Sequence, residues 1–266
     1  MKKIFFSSFF GAVLLGVSAI GYAATLVINT PKVELELEPG GTYSGEITVE
    51  NPTDSVATLK TYLEDWMYAN GVGDKQFAPP GTMPLSASPW ITFTTPEPTL
   101  APFGRATVRY TVRVPVEGAA GAHYSVLFFE TIIGNMPNED GVSVDVAGRI
   151  GSLFVVETKG TVKRTGEIVS LEIAPPEGNK PMEIHTTFKN TGNVHVSLEG
   201  SFLILDEAGQ VRARGELSKL YTFPDQTVDG TSKWVGRLPK GNYTVIATYS
   251  LGKGKSLVEE RALAIA

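Results

Sequence analysis

The chain is 266 residues long, carries a formal net charge of −5 and contains no cysteine. Its mildly acidic balance leaves no electrostatic footprint for nucleic acid or an anionic lipid surface. The missing cysteine excludes a disulfide framework and a lipidated cysteine anchor, so stability has to come from buried apolar core, and the length allows two such cores of about 120 residues each.

The N-terminus begins with Lys2 and Lys3, runs through an apolar stretch over residues 4–20, and reaches small residues at Gly21-Tyr22-Ala23. This is the three-part pattern of a secretory signal peptide, with cleavage expected after Ala23, so residues 1–23 are set apart from the fold. The C-terminal 261–266 holds no apolar run of membrane-spanning length. The reading is therefore a periplasmic or secreted protein without a membrane anchor.

From residue 26 onward, runs of Val, Ile, Thr, Tyr and Phe alternate with Gly, Pro and Asn turns, and no window keeps a 3.6-residue apolar period. In the first half the pattern predicts strands over 26–37, 43–50, 56–68, 90–93, 105–114, 122–133 and 142–158. Pro39-Gly40-Gly41, Asn51-Pro52-Thr53-Asp54 and Asn70-Gly71 separate the early ones, and a Pro-rich crossover spans 78–88. The second half repeats the plan over 168–173, 182–190, 194–205, 210–221, 231–237, 243–250 and 256–264, with hairpin turns at Asp206–Gly209 and Gly252-Lys253-Gly254. Seven short strands per unit is the count of an immunoglobulin-like sandwich. The fold class is all-β: two tandem immunoglobulin-like β-sandwich domains, 24–165 and 166–266, joined by a short link over 160–166.

A catalytic reading finds little to stand on. His123 and Ser125 share a strand face, but no G-x-S-x-G turn exposes a serine and no acid is placed to orient the imidazole. His185 and His195 flank the turn over 190–193; two imidazoles alone make a poor zinc site. Glu139-Asp140-Gly141 lacks calcium-loop spacing and reads as a plain turn. Glu64 and Asp65 are neighbours on a strand, so they point to opposite faces and do not flank one glycosidic bond. No catalytic residue, metal site or cofactor is assigned, and the expectation is a binding protein, not an enzyme.

The strands suggest where binding occurs. In the third, Leu59, Leu63 and Met67 fall on one side and Tyr62, Trp66 and Tyr68 on the other; one set fills the core and the other is a candidate aromatic surface, unless the 78–88 loop covers it. In the sixth, Tyr124, Val126 and Phe128 oppose Leu127, Phe129 and Ile133. The seventh opens with strict alternation, Val142, Val144 and Val146 against Ser143 and Asp145. Such a stripe on an edge strand can add to a partner's sheet through main-chain hydrogen bonds; the plainer alternative is an ordinary half-buried strand.

The run Glu46–Asn51, Trp66, Phe77-Ala78-Pro79-Pro80, Ser88–Ile91, Leu100-Ala101-Pro102-Phe103, 108–115 and the closing Arg149-Ile150-Gly151-Ser152-Leu153-Phe154 resembles the N-terminal domain of periplasmic pilus chaperones, the PapD-like superfamily. The resemblance implies that Val142, Val144, Val146 and Ile150 are a donor set completing the sandwich of an exported, pilin-like subunit. It also implies that a basic pair, by position Lys32 and Arg149, anchors that subunit's terminal carboxylate. A second likeness, over Leu100 to Pro115, 121–127, Phe188–Asn193 and 238–245, is to the WxL-interacting proteins of Gram-positive surfaces. It implies a structural or adhesive role against peptidoglycan as the alternative.

Overall fold

The computed structural model describes residues 26–94, 97–117, 119–138, 142–176 and 180–265. The signal-peptide assignment at 1–23 and the turn at Glu139-Asp140-Gly141 lie outside them. Eleven of the described strands belong to the first half: β1 (Val27–Ile28), β2 (Lys32–Leu37), β3 (Thr42–Glu50), β4 (Ala57–Thr58), β5 (Lys60–Tyr68), β6 (Lys75–Ala78), β7 (Ile91–Phe93), β8 (Thr99–Leu100), β9 (Arg105–Arg113), β10 (Ala122–Pro137) and β11 (Ser143–Thr158). Seven make the second: β12 (Gly166–Ala174), β13 (Met182–Asn190), β14 (Val196–Asp206), β15 (Val211–Thr222), β16 (Thr227–Trp234), β17 (Gly241–Gly252) and β18 (Lys255–Ile265).

Each half is a two-sheet immunoglobulin-like sandwich. In the first, β1-β3-β9-β7 faces β2-β11-β10-β5-β6, with β4 and β8 as a small pair; in the second, β12-β13-β16 faces β15-β14-β17-β18. The stretch 26–37, expected as one strand, is two. Pro31 lacks an N–H to continue a ladder, and the chain changes sheets there: β1 pairs antiparallel with β3, and β2 runs parallel to β11.

Period-two alternation decides what is buried. On β3 and β9, Ile47, Val49, Val108, Tyr110 and Val112 turn inward and are buried, while Glu46, Arg105 and Arg109 remain in solvent. Phe154, Val156, Leu127 and Phe129 meet them from the opposite sheet and close the first core. The second core gathers Phe188, Phe202, Val245 and Tyr249. Burial of His123 against Trp90, ring centroids 4.1 Å apart, holds its imidazole down at about pH 4, and its Nδ1 has no hydrogen-bond partner.

A third apolar cluster joins the two halves. Trp66, Tyr68, Tyr124, Val126 and Phe128, on the outer face of the first sandwich, pack with Val194 and Phe223 of the second. Trp66 meets Tyr124 and Phe223 edge-on at 5.4 and 5.5 Å, and its indole N–H donates to the Phe154 carbonyl at 3.3 Å. The Tyr124 hydroxyl accepts from the His195 backbone N–H at 2.7 Å, and burial holds the His195 imidazole near 4. Lys253, in the β17–β18 turn, reaches Glu36 and Glu157 of the first half, and Glu157 also takes Arg164 at 2.7 Å.

The two depressed imidazoles carry a pH dependence with a definite sign. An unfolded histidine titrates near 6.5, so between about 4 and 6.5 the unfolded chain binds protons that the native one does not. Stability from this source is complete above 6.5 and is lost as pH falls toward 4, by up to about 3 kcal/mol for each group. His123→Phe keeps the ring against Trp90 and removes the orphaned Nδ1. Urea midpoints recorded from pH 7.5 down to 5 should drop steeply for the natural chain and less steeply for this variant; equal slopes would show that His123 is not a source.

Candidate functional site, an open-edged ribbon

The sixth and seventh strands extend past the body of the sandwich. β10 pairs with β11 from Ala122↔Glu157 to Pro137↔Ser143, whereas β5 accompanies β10 only over Val126–Glu130 and β2 accompanies β11 only over Leu153–Thr158. Residues Ser143–Ser152 therefore have β10 on one side and no strand on the other among the described residues. Edges of this kind are templates for another chain, and proteins usually shorten, charge or cover them.

The side chains along this edge continue the core. Even-numbered positions of β11 face inward: Phe154 and Val156 are fully buried in the first core and Ile150 packs against it. The same face runs out through Val146 to Val144, which is 47% exposed, and Val142 beyond is 59% exposed. The sandwich's inward stripe thus extends beyond the sandwich itself. The ladder slips between Ile132 and Gly134, a bulge that leaves both Ile132 and Ile133 exposed. Ile133, expected to share a face with Leu127 and Phe129, is displaced by that extra residue.

The other sequence-derived candidates fare differently. The expected aromatic surface is corrected: Trp66 is 1% exposed and Tyr68 7%, because the second sandwich covers them. Tyr62 alone stays half-exposed, its hydroxyl donating to Glu130 at 2.6 Å.

The expected basic pair is corrected as well. Lys32 stands opposite Leu153, four residues, or about 13 Å along the strand, from Arg149. Arg149 bonds Glu64 at 3.1 Å and Tyr62 at 3.3 Å and lies over the Phe128 ring at 4.1 Å. Lys32 pairs with Glu34 and lines a cleft of about 400 Å³ between the sandwiches, beside Arg164 and Lys253. The three cations there are matched by Glu34, Glu36 and Glu157, so the cleft is closed on itself electrostatically.

The histidines do not converge. His185 bonds Thr231 at 3.0 Å, and His195 is buried beside Tyr124. No group of three or more metal-capable side chains occurs among the described residues. Ser125 is buried, sharing a hydrogen bond with Ser88 at 2.8 Å, and Ser88 also donates to the buried Asp65 at 2.6 Å. Asp65 accepts further bonds from Ser86 and the Met83 N–H, which ties the proline-rich crossover onto the sheet. Sequence reasoning weighed Asp65 only beside Glu64 as a catalytic pair and missed this anchoring role; its place on the same strand face as Leu63 was the available signal.

The chain is a tandem immunoglobulin-like protein whose first sandwich carries an open-edged ribbon, and solved structures similar to it include fimbrial chaperones. The chaperone–tip adhesin complex of CFA/I fimbriae biogenesis aligns at 13% identity and TM-score 0.47, over 90% of this chain and 99% of that one. The class 5 fimbriae chaperone CfaA aligns at 14% and 0.45, covering 89% and 98%. The Salmonella enterica SafA pilin in complex with the SafB chaperone aligns at 10% and 0.41, covering 91% and 96%. No protein-family model matches the chain, and no curated protein matches it.

Proposed function

We propose that this is an exported, non-enzymatic, chaperone-like envelope protein that binds an exported protein subunit by β-strand addition along β11. The observation that carries the reading is the coincidence of an unpaired outer edge over Ser143–Ser152, among the described residues, with an inward-type stripe, Val142, Val144, Val146 and Ile150, that starts at the core at Ile150 and is exposed at Val144 and Val142. Backbone groups on the edge supply affinity for any extended strand, and the valines, entering alternate pockets, select the strand whose groove is apolar. The test is co-purification: a tagged chain recovered from the envelope should bring down a protein partner, and Val144→Asp should not. Recovery of peptidoglycan in place of protein would favour the wall-binding alternative.

The proposal extends to the domain plan, a leader at 1–23 followed by units 24–165 and 166–266. The strands of the second core, β12 to β18, all lie within the second unit. A fragment of residues 167–266 should therefore melt cooperatively with a β-type circular dichroism spectrum. Its midpoint should lie below that of the whole chain, because Val194 and Phe223 lose the cover of Trp66 and Tyr124. An unfolded fragment would move the boundary.

A further inference from the structure

On the sheet of the first sandwich that lies away from β11, the outer face repeats a pairing that stops one rung short. By the two-residue period, β9 turns Arg105, Arg109 and Arg113 outward at every fourth residue. β3 runs antiparallel beside it, with Glu50 opposite Arg105, Glu46 opposite Arg109 and Thr42 opposite Arg113. The first two rungs are ion pairs, at 3.8 and 2.7 Å. The third has the cation without the carboxylate. The exposed Arg113 guanidinium makes no ion pair or hydrogen bond among the described residues.

An unpaired surface arginine by itself costs little and marks nothing. This one lines a cleft of about 610 Å³ together with Trp90, Thr42, Thr92 and Pro115. Trp90 is half-buried, and its indole packs against buried His123 at 4.1 Å, so the ring is held in place before anything binds. β7 is the outermost strand of its sheet among the described residues, which leaves Thr92 exposed. Its neighbour across the ladder, Thr111, is bonded to Ser44 at 2.9 Å, but the hydroxyls of Thr42 and Thr92 have no partner among the described residues.

We infer that this cleft binds a uronate residue of an acidic polysaccharide, with the carboxylate on Arg113, the sugar ring against Trp90 and ring hydroxyls on Thr42 and Thr92. Each wall excludes a simpler ligand. A neutral sugar would leave the guanidinium unpaired, a bare inorganic anion would not use the indole, and an aliphatic acid would leave two hydroxyls without partners. A uronate meets all three. Its carboxylate accepts two parallel N–H bonds from an arginine, its C–H groups suit the negative face of an aromatic ring, and its hydroxyls both donate and accept. Because β11 belongs to the opposite sheet, the cleft stays open while a subunit is held on that strand.

The test is isothermal titration calorimetry of the intact chain with a galacturonate hexamer, using the methyl-esterified hexamer and the N-acetylglucosamine hexamer as uncharged controls. The natural chain should bind the galacturonate hexamer and bind both controls at least about tenfold more weakly, as loss of a charge-assisted pair requires. Thr42→Glu completes the third rung from within, setting a carboxylate opposite Arg113 as Glu46 stands opposite Arg109. It should fold with an unchanged or raised melting temperature and lose the hexamer. Arg113→Gln changes an exposed, unpaired side chain, so it too should fold and lose the hexamer, and it decides the matter if Thr42→Glu does not fold. A natural chain that gives no binding at millimolar hexamer, equal binding of the methyl ester, or full binding by either folded variant would each overturn the inference. Val144→Asp, on the other sheet, should bind the hexamer as the natural chain does, so this site and subunit binding are read apart.

Discussion

Val144→Asp is expected to abolish recovery of the envelope partner while leaving the melting temperature almost unchanged. In the free protein Val144 is 47% exposed on a ribbon with β10 on one side and, among the described residues, no strand on the other, so an aspartate there is solvated and should cost about 0.5 kcal/mol or less. In a partner's apolar groove the same carboxylate is buried without a counter-charge, at a cost of several kcal/mol. About 4 kcal/mol corresponds to roughly a thousandfold loss of affinity, enough to empty a pull-down. Ser143→Asp is the internal control: one residue away, on the opposite face, it should retain most of the binding. A sharp fall in melting temperature for Val144→Asp would return Val144 to an ordinary core strand, and full partner recovery would remove the stripe from the mechanism.

Trp66→Ala should produce the largest loss of stability. Trp66 is the largest fully buried side chain, and it touches both sandwiches through Tyr68, Tyr124, His195 and Phe223. Truncating a buried tryptophan costs about 3–5 kcal/mol from lost burial and the cavity left behind. For a chain of this size that is a fall of roughly 6–20 °C in melting temperature. Because the lost contacts lie between the halves, calorimetry should also show the single transition separating toward two. Trp66→Phe keeps a ring in the cluster and should lose much less. An unaltered transition in Trp66→Ala would mean that Tyr124 and Phe223 close over the gap without it.

Much of the fold was legible because period-two alternation is a local property. The two opposed sets on β10 and the valine alternation that opens β11 follow from residue spacing alone, and the same alternation continues inward to Phe154 and Val156, which are buried. The same local pattern marked Val142, Val144 and Val146 as a stripe. Short features were harder to read: β6 and β8 are four and two residues long, too brief to show a period, and β1 before the split at Pro31 is only two residues long.

The sequence by itself determined the all-β character, the seven strands of the second half and which residues of each main strand share a face, because those depend only on spacing and turn chemistry. The first half, expected to hold seven strands, has eleven among the described residues. Only the tertiary structure decided which of two apolar faces meets the core and which meets a neighbour. Trp66 and Tyr68 could have been a surface, and they are interior because Phe223 and His195, more than a hundred residues later, return to cover them. Arg149 and Lys32 could have been a pair, and strand register separates them. The open edge of β11 is likewise a fact about where β2 begins to pair, not about the strand's own residues. Long-range pairing is set by the sum of many distant contacts, and no window of sequence contains that sum.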